Sequence, residues 1–577
     1  MRLVIAEKPS VAKVIQSAVG DSYFVIALKG HILENANPDA YLSSEVPLNS
    51  KGTKVWRAED LPIHPSQWLL TLSDEHSEIY EKINRLLGFA TEVIHAGDPD
   101  REGQLIVDEV LDELGYLGLV TRVLLKSLSP EAIREAFDNR RPNSDYRLLS
   151  NAALARSHAD WRFGINLSRA YSVVQNRNIS IGRVKTPLLG MIVERDREIE
   201  AFVSSTYYDV YLKTRHSLGE TYLKWVPGKE DAGTDDEGRL IDLEQARSIQ
   251  KAALGTGFIT GYQDELETIE RPLPFNLSQL QIQACEKFGM TAKQVMDACQ
   301  SLYVAGVITY PRTNCRYVPR QDREGLKEAL SQHGKGVITT MPASVHAAFD
   351  DTKITAHSAI LPTRVSPLNL TGDAALIYEL IRESAVALFM QPVECHNISA
   401  TITINGNPHV IHSSRFIQPG WNVIPAEGEF ADMPLFKAGG AIEFNEVIIE
   451  TRHTQPPQHY TDGTLIDAMV NVGKRVNHPE LRAVLENSDG LGTDATRTAT
   501  IESLLKKFIR RQGKYLVSTD IGRRLIDSIP AELCDPVMTA EWEAKLAKIV
   551  EGSLIIDDFE DEIKEFVTQQ VSLALQS

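Results

Sequence analysis

The first 150 residues alternate strand patterns with helix patterns, and this alternation constrains the fold more than any other feature of the sequence. The apolar run Leu3–Ala6 predicts a strand, and the helical pattern that begins at Pro9 ends at Gly20. A second strand is predicted over Glu92–Ala96, and a loop separates it from a helical pattern that includes Gln104–Leu111. Strands that alternate with helices are typical of an α/β domain with a mainly parallel sheet.

The rest of the chain changes between helical and strand patterns several times. Residues 151–200 are helical and basic, residues 277–390 are again largely helical, and helices dominate from Thr464 onward. The strand-like segments between these parts are Tyr208–Lys213, Ile398–Ile404 and Ala441–Ile449. Because helical and β patterns recur far apart in the sequence, we expect that distant segments complete common domains.

The composition is that of an ordinary globular protein with several domains. The 577 residues suggest about three to five domains of roughly 100–200 residues each. Arg2 precedes the N-terminal apolar run, which is too short for a signal peptide or a membrane span. The five cysteines are widely spaced and form no Cys-x-x-Cys pair, which argues against disulfides and a zinc ribbon. We therefore expect a cytoplasmic protein without a membrane segment.

Charge is distributed unevenly along the chain. The net charge of −18 argues only mildly against a nucleic-acid partner, because a DNA site needs just a local basic surface. Between Asn151 and Lys185 there are six basic residues and a single acidic one, Asp160, so this window carries a net charge of +5. The six basic residues are Arg156, Arg162, Arg169, Arg177, Arg183 and Lys185. This window is therefore a candidate DNA-binding surface.

Three carboxylates stand within five residues where the second predicted strand gives way to a helix. They are Asp98, Asp100 and Glu102, and in an open α/β sheet this edge is where ligands bind. Glu7 and Lys8 follow the first strand and are expected at the same edge. Hard carboxylate oxygens on a tight turn suit Mg²⁺, which is completed by waters and phosphate oxygens. Taken alone, the turn is equally compatible with a solvated acidic helix N-terminus.

Glu7 followed by Asp98, Asp100 and Glu102 resembles the Toprim pattern that topoisomerases, bacterial primases and some nucleases share. The resemblance implies a magnesium site beside a phosphodiester, held by these four carboxylates. A Toprim fold alone does not specify the reaction.

A second motif, Gly306–Thr313, contains a candidate nucleophile at Tyr310. A tyrosine attacks phosphorus only if its oxygen is held in line and the phosphate charge is neutralised. Pro311 favours an extended backbone at Tyr310, and Arg312 then projects to the same side and can grip the scissile phosphate. A lone Tyr-Pro pair is more often a buried tyrosine before a turn. The whole segment, however, resembles the active-site motif of type IA DNA topoisomerases.

Further segments resemble the same family across nearly the whole chain. His357–Thr363 is similar to its histidine motif, which lies near the cleavage site. The amino-acid sequence of Asp98–Gln104 resembles the topoisomerase III kind more than topoisomerase I. Other matching segments are Asp160–Ala170 and Ser180–Pro187, which resemble its single-strand-binding helices, and the late motifs Tyr460–Leu465 and Gly490–Arg497.

The resemblance also indicates which residues contact DNA. Gly182 allows close backbone approach to phosphates, and the rings of Tyr171 and Trp56 are candidates for stacking on unpaired bases. The full candidate set is Trp56, Arg156, Arg169, Tyr171, Ser180, Ile181, Gly182, Arg183, Val184 and Lys185. Ordinarily, residues such as Arg183 and Lys185 are a solvated helix face, and buried aromatic rings belong to a core.

The family implies a multidomain fold of α/β, helical and β domains, in which a Toprim domain, helical gate domains and a β-rich arch form a toroidal clamp. The expected domains are residues 1–150 (Toprim), 151–205 with 452–577 (helical DNA-binding gate), 206–272 with 393–451 (β-rich arch) and 273–392 (helical, carrying the tyrosine). The toroid encloses a space that can hold DNA.

The implied activity is ATP-independent cleavage of one DNA strand through a 5′-phosphotyrosyl intermediate, followed by strand passage and religation. The implied catalytic residues are Tyr310, Arg312, Lys8, Glu7 and His357, with Mg²⁺ as cofactor. No Gly-Lys pair of the chain continues as a Walker A loop, which fits an ATP-independent reaction.

Two other functions remain open from the residues alone. One is a Toprim nuclease or primase in which Tyr310 is incidental, and the other is a catalytically silent single-strand-binding protein. The family also implies a nucleoid-associated bacterial protein, a monomer, with a helicase or a single-strand-binding protein as a possible partner.

Overall fold

The computed structural model describes most of the chain. The described ranges are 1–125, 130–216, 219–227, 233–253, 255–333, 345–354, 357–367, 369–418, 420–421, 439–444, 446–476, 478–486, 490–494 and 496–576. Within them, no helix combines the length and the apolar character that crossing a membrane requires. All five cysteines are free thiols.

Strands and helices occur in the following order. The strands are β1 (Arg2–Ala6), β2 (Tyr23–Ala27), β3 (Leu33–Asn35), β4 (Leu70–Leu72), β5 (Glu92–Ala96), β6 (Val120–Arg122), β7 (Arg141–Pro142), β8 (Thr206–His216), β9 (Gly219–Trp225), β10 (Gly255–Ile269), β11 (Val393–Ile404), β12 (Asn407–Gln418), β13 (Ala441–Phe444), β14 (Glu446–His453), β15 (Tyr460–Thr461), β16 (Ile509–Gln512) and β17 (Tyr515–Ser518). The helices are α1 (Pro9–Val19), α2 (Ser77–Leu87), α3 (Arg101–Glu113), α4 (Pro130–Asp138), α5 (Arg147–Val174), α6 (Lys185–Ala201), α7 (Leu243–Ala252), α8 (Leu277–Phe288), α9 (Ala292–Val304), α10 (Arg323–His333), α11 (Gly372–Ala387), α12 (Asp462–Val470), α13 (Pro479–Glu486), α14 (Arg497–Leu505), α15 (Asp520–Asp527), α16 (Val537–Val550) and α17 (Ile556–Gln576).

The N-terminal sheet has the strand order β2-β1-β5-β6-β7 and is parallel except for β7. Both predicted strands, Leu3–Ala6 and Glu92–Ala96, are confirmed, since they lie in β1 and β5. The two strands pair side by side, and their last residues, Ala6 and Ala96, are partners. Whatever follows them therefore leaves the sheet at the same edge, where parallel α/β sheets bind their ligands.

Helices begin directly after both of these strands. Pro9 stands at the start of α1, where its fixed φ suits the first turn, and the helix ends at Gly20, whose φ is +67°. The side chain of Asp100 caps α3 by accepting a hydrogen bond from the backbone N–H of Gly103 at 2.7 Å. The two strand-to-helix turns carry Glu7 and Lys8 on one side and Asp98 and Asp100 on the other.

A larger antiparallel sheet is built from two segments that are far apart in the sequence. Its strand order within the described ranges is β13-β10-β11-β12-β9-β8-β14. β8, β9 and β10 come from residues before 270 and the remaining strands from residues after 392, so distant segments complete one sheet as predicted. Its apolar face is packed around Leu212, Trp225 and Ile402, which are buried.

The largest core of the chain is helical and centres on α5. This helix packs against α16 and α17, and Phe163 and Phe559 are completely buried there. The helical prediction for residues 151–200 is interrupted, because residues 175–184 form the turn between α5 and α6 rather than a helix. The small sheet β15-β17-β16 was also missed. Its strands are only two to four residues long, too short to show an alternating pattern.

We expect Phe163→Ala to weaken this helical core by about 3–5 kcal/mol, because it removes a completely buried ring and leaves a cavity. Amide hydrogen exchange in α5, α16 and α17 measures the local free energy of opening. Leu573→Ala on α17 is the control, since Leu573 is 45% exposed and its truncation should cost about 1 kcal/mol or less. Equal effects of the two changes would contradict the central place of α5 in the core.

Candidate active site

The turn after β1 fixes Glu7 and Lys8 through their backbone carbonyls. The N–H groups of Lys29 and Gly30 donate to the Glu7 oxygen at 2.8 and 3.1 Å, and Ala12 donates to that of Lys8 at 3.0 Å. The Glu7 carboxylate accepts a long hydrogen bond from the Asp98 N–H at 3.4 Å. The two strand-to-helix turns are thus in direct contact.

The turn after β5 is packed against the first turn of α3 without room for a side chain. A Cβ atom at Gly97 would lie 2.1 Å from the carbonyl oxygen of Gly103, and one at Gly103 would lie 2.4 Å from that of Asp98. The motif Asp98–Gln104 therefore requires glycine at position 103 for steric reasons alone. This close packing places Asp98 and Asp100 beside Glu7.

A buried arginine on β6 stabilises the same turn through hydrogen bonds. The guanidinium of Arg122 donates to the carbonyl oxygens of Gly97 at 2.8 Å and Asp98 at 2.6 Å, and its Nε donates to the Gln104 side chain at 2.8 Å. Burial lowers the pKa of Arg122 to about 10, so that it stays positively charged at neutral pH. Sequence reasoning missed Arg122, although a charged residue at the end of an apolar strand pattern is a signal.

The two motifs predicted to lie near the cleavage site pair with each other. The Thr309 N–H donates to the Leu361 carbonyl and its hydroxyl to the Ala359 carbonyl, both at 2.9 Å. The Thr363 N–H donates in turn to Val307 at 3.0 Å. These bonds hold the Tyr310 segment beside the segment that begins at His357.

The side chains of both motifs meet the ends of β1 and β5. The Tyr310 and His357 rings lie 4.7 Å apart, and the Lys8 ammonium is 4.5 Å from the centre of the tyrosine ring. Lys8 forms a short ion pair with Asp98 and a second one with Glu7 at 3.3 Å. His357 Nε2 lies 3.0 Å from the same Asp98 oxygen that Lys8 binds. The structure thus brings together five of the predicted site residues.

A neighbouring tyrosine adds one more contact between these parts. The ring of Tyr303 packs edge-on against Tyr310 with a centroid separation of 5.3 Å. Its hydroxyl donates a hydrogen bond of 3.0 Å to Ser10 at the start of α1.

The charges of the cluster shift the pKa values of its members. Burial raises the pKa of Asp98, but hydrogen bonds and charge from His357 and Lys8 outweigh it and lower the pKa to about 2. Burial lowers the pKa of Lys8, yet Asp98 and Glu7 raise it well above its usual value. The pKa of Glu7 is raised by burial and by the negative charge of Asp98. Lys8 is therefore firmly protonated, and Glu7 gains a proton more readily than Asp98.

Tyr310 is a neutral phenol in this environment. Burial raises its pKa, while the positive charges of Lys8 and Arg312 act in the opposite direction. Arg312 itself is exposed to solvent. It is near enough to influence Tyr310 and is accessible to a bound anion.

The carboxylates at this edge have the oxygen-rich chemistry that Mg²⁺ prefers. Asp98 and Asp100 both raise the pKa of Glu7, so the three negative charges are close enough to repel one another, and a bound cation relieves this repulsion. Across the described ranges, no three His, Cys, Asp or Glu side chains are arranged as a metal cage. Asp98 is instead held by Lys8 and His357.

Glu102 does not join the other carboxylates. Its side chain forms an ion pair with Arg156 and lies 3.2 Å from His31, whose other ring nitrogen is 3.5 Å from Glu109. Glu102 lies in the first turn of α3, and its partners come from α5 and from the segment before β3. The predicted set of four ligands is thus divided between two clusters.

Several predicted DNA-binding residues are buried. Tyr171 is 2% exposed and Ile181 4% exposed, and both belong to the helical core, so neither is placed to touch a base. The Arg169 side chain is buried in an ion pair with Asp39 and lies over the ring of Trp56 at 5.1 Å. A pattern of aromatic and basic residues on a helix does not reveal which of them face the core.

Most of the other predicted contacts, though not Arg183, lie nearer to the surface. Ser180 is exposed, Gly182 and Val184 are half-buried, and the half-buried Lys185 reaches back towards Ser180 at 3.4 Å. Arg183 is buried and forms a two-pronged ion pair with Asp160 at 2.9 and 3.3 Å. Trp56 is 39% exposed.

A groove of about 1060 Å³ lies in the helical part of the chain. Two of its lining residues are near the cluster in the sequence: Arg101 follows Asp100, and Asn314 is four residues beyond Tyr310. Its walls are formed by Arg156 and Arg183, and by residues of α14 and α16 that include Thr500 and Glu543. Glu543 and Arg101 were not predicted, because their roles depend on contacts between segments about 440 residues apart.

The fold and the cluster define a Toprim protein with an added tyrosine-bearing part. A Toprim domain model matches residues 2–127, and a DNA topoisomerase family model matches residues 144–560. The chain belongs to the DNA topoisomerase family, and the motifs around Tyr310 and His357 place it among the type IA enzymes.

Named relatives agree with this assignment, and a solved structure has the same fold. DNA topoisomerase 3 of Salmonella typhimurium is 37% identical over 97% of this chain and 91% of that protein. DNA topoisomerase 3 of Haemophilus influenzae is 35% identical over 97% and 92%. Full-length topoisomerase I of Thermotoga maritima has a similar fold, with a TM-score of 0.71, 23% identity, and coverage of 99% of this chain and 90% of that one.

We expect Arg122→Lys to loosen the turn at residues 97–104, because a lysine cannot replace the several hydrogen bonds of the guanidinium. Losing charged hydrogen bonds should speed amide exchange in this turn by at least about tenfold. Hydrogen exchange with mass spectrometry measures this directly. Arg140→Lys is the control, since Arg140 pairs with Glu92 at 2.9 Å away from the turn. An unchanged amide exchange rate in Arg122→Lys would show that the turn is rigid without the hydrogen bonds of Arg122.

Proposed function

We propose that this enzyme is of the topoisomerase III kind and cuts one DNA strand through Tyr310, passes DNA through the break and reseals it. The arrangement of Tyr310 against Lys8, which pairs with Asp98, supports this proposal most directly. Such a cycle can relax negative supercoils and can also decatenate DNA.

In the proposed cleavage step, the Tyr310 oxygen attacks a backbone phosphorus and the bond from phosphorus to the 3′ oxygen breaks. Glu7, whose pKa is raised by burial and by Asp98, receives the phenolic proton. Lys8 is protonated and donates a proton to the leaving 3′ oxygen. The products are a 5′-phosphotyrosine and a 3′-hydroxyl, and religation is the same step in reverse. Because the new ester conserves the bond energy, no ATP is needed.

Arg312 and His357 complete the proposed catalytic set. Arg312 is exposed beside Tyr310 and is able to hold the scissile phosphate with two parallel hydrogen bonds. His357, bound to Asp98 and next to the Tyr310 ring, positions the nucleophile and stands near the leaving oxygen.

Glu7, Asp98 and Asp100 are the proposed magnesium ligands. Bound there, Mg²⁺ supplies positive charge that neutralises the carboxylates and the adjacent phosphate. Glu102 is the fourth predicted ligand, and its ion pair with Arg156 makes its part in the site secondary.

We further propose the domain division expected from the family, in which the clamp encloses DNA. The domains are residues 1–150 (Toprim), 151–205 with 452–577 (gate), 206–272 with 393–451 (arch) and 273–392 (tyrosine-bearing). The protein would act as a monomer on a single-stranded segment in the bacterial cytoplasm, associated with the nucleoid and assisted by a helicase or a single-strand-binding protein.

We expect Tyr310→Phe to abolish relaxation of negatively supercoiled plasmid, which the wild type performs with magnesium and without ATP. The change removes only the attacking oxygen. Tyr303→Phe is the matched control, because it removes one hydroxyl from the neighbouring ring and breaks a single hydrogen bond to Ser10. Its activity should stay within about tenfold of the wild type.

A denaturant quench of the same reactions separates the alternatives. A covalent protein–DNA adduct in the wild type, absent from Tyr310→Phe, is the expected result. Relaxation that survives in Tyr310→Phe would refute the nucleophile. Nicked or linear product without an adduct would favour the Toprim nuclease.

The magnesium proposal ranks three of the carboxylates. We expect Asp98→Asn and Asp100→Asn to raise the magnesium concentration for half-maximal relaxation by at least about tenfold, since each removes a ligand charge without changing shape. Glu102→Gln should have a smaller effect, because Arg156 holds this side chain apart from the others. Equal effects of the three changes would contradict the division into two clusters.

A further inference from the structure

One carboxylate stands where three arginines of the groove converge. The Glu543 side chain binds Arg101 at 3.0 Å through one oxygen and Arg183 at 3.3 Å through the other. Arg156 is close enough for its positive charge to act on Glu543 as well. All four residues line the groove of about 1060 Å³.

The three arginines come from separate elements, and Glu543 connects them. Arg101 begins α3, Arg156 lies in α5, and Arg183 precedes α6, whereas Glu543 is in the middle of α16. Burial raises the pKa of Glu543, but the charges of Arg183 and Arg101 outweigh this and lower it. Glu543 is thus ionised, with its side chain 14% exposed.

Arginines in this arrangement suit a phosphate as well as a carboxylate. Guanidinium groups bind both anions through the same pair of parallel hydrogen bonds. Arg183 keeps its two-pronged pair with Asp160 while Glu543 binds another of its nitrogens, so its position does not depend on Glu543 alone. Arg101 directly follows Asp100, which places this anion site next to the turn of the cluster.

We propose that the Glu543 carboxylate occupies the place of a DNA backbone phosphate and is displaced from Arg101 and Arg183 when a single strand enters the groove. This inference rests on the proposed function, since it takes the groove as the path of the cut strand. It adds a residue, Glu543, that tunes how tightly the strand is held.

The exchange of one anion for another has a physical advantage in this groove. Converging arginines repel one another, and Glu543 compensates the charges of Arg101 and Arg183 when DNA is absent. A phosphate that replaces Glu543 gains only the difference between two similar ion pairs, so the strand is held moderately and is released readily. An enzyme that must bind, pass and release a strand in every cycle benefits from such moderate affinity.

The test compares two variants that remove the same charge from the same helix. Glu543→Gln removes the competing carboxylate, whereas Glu541→Gln removes an exposed one from α16. Both are made in a Tyr310→Phe background without magnesium, and binding of a fluorescein-labelled oligothymidylate is measured by anisotropy. We expect Glu543→Gln to bind at least about tenfold more tightly than its parent, and Glu541→Gln to bind like the parent.

Unchanged or weaker binding by Glu543→Gln, with an unchanged circular dichroism spectrum, would overturn the exchange and leave Glu543 as a structural partner of the arginines. Should that variant fail to fold, Glu543→Asp serves instead, because it keeps the charge but draws it back from Arg101 and Arg183. Tighter binding is again expected, and unchanged binding again overturns the proposal. Cleavage is not required here, so a failure of the proposed function shows separately in the plasmid assay.

Discussion

The ion pair between Lys8 and Asp98 is the contact on which the rest of the site depends. It joins the ends of β1 and β5, which the parallel sheet places side by side but does not connect beyond Ala6 and Ala96. Without Lys8, the buried carboxylates of Glu7 and Asp98 would face each other with only His357 to compensate them, which is far more costly than an exposed pair. Because His357 and the Tyr310 ring rest on the same two side chains, the ion pair also provides the surface against which the tyrosine segment closes.

The tyrosine-bearing helices touch the rest of the chain through a second polar contact, on their other side. Ser278 at the start of α8 hydrogen bonds to Asp494, which also binds Arg497 at 2.7 Å, and the N–H of Ala292 donates to Asp462 at 3.1 Å. When a polar contact separates, both groups form hydrogen bonds to water instead, so the net free-energy cost is modest. Separating an apolar contact exposes apolar surface to water and gains no such replacement. Polar contacts of this kind are compatible with the separation of these parts that the proposed strand passage requires.

The sequence was most informative where a pattern is local. The strand at Leu3–Ala6, the end of α1 at Gly20 and the acidic turn after β5 follow from short runs, and the structure has them as predicted. The pairing of the Tyr310 and His357 segments came from a resemblance, since nothing in either segment specifies the other. Tyr171 was misplaced because an aromatic residue on a basic helix looks the same whether it faces the core or a ligand. Arg122 was missed because its acceptors are backbone carbonyls of another turn.

The basic window between Asn151 and Lys185 shows why charge along a sequence differs from charge in space. Arg156 and Arg169 are paired with acids far away in the sequence, at Glu102 and Asp39, and Arg183 is shared between Asp160 and Glu543. A net charge of +5 in the sequence therefore becomes a nearly neutralised groove in the folded chain. An incoming phosphate has to compete with these carboxylates rather than fall onto a bare positive surface, which reconciles an acidic chain with a nucleic-acid substrate. The acids that matter for this competition are those whose partners line the groove, because only there does a displaced carboxylate give its place to DNA.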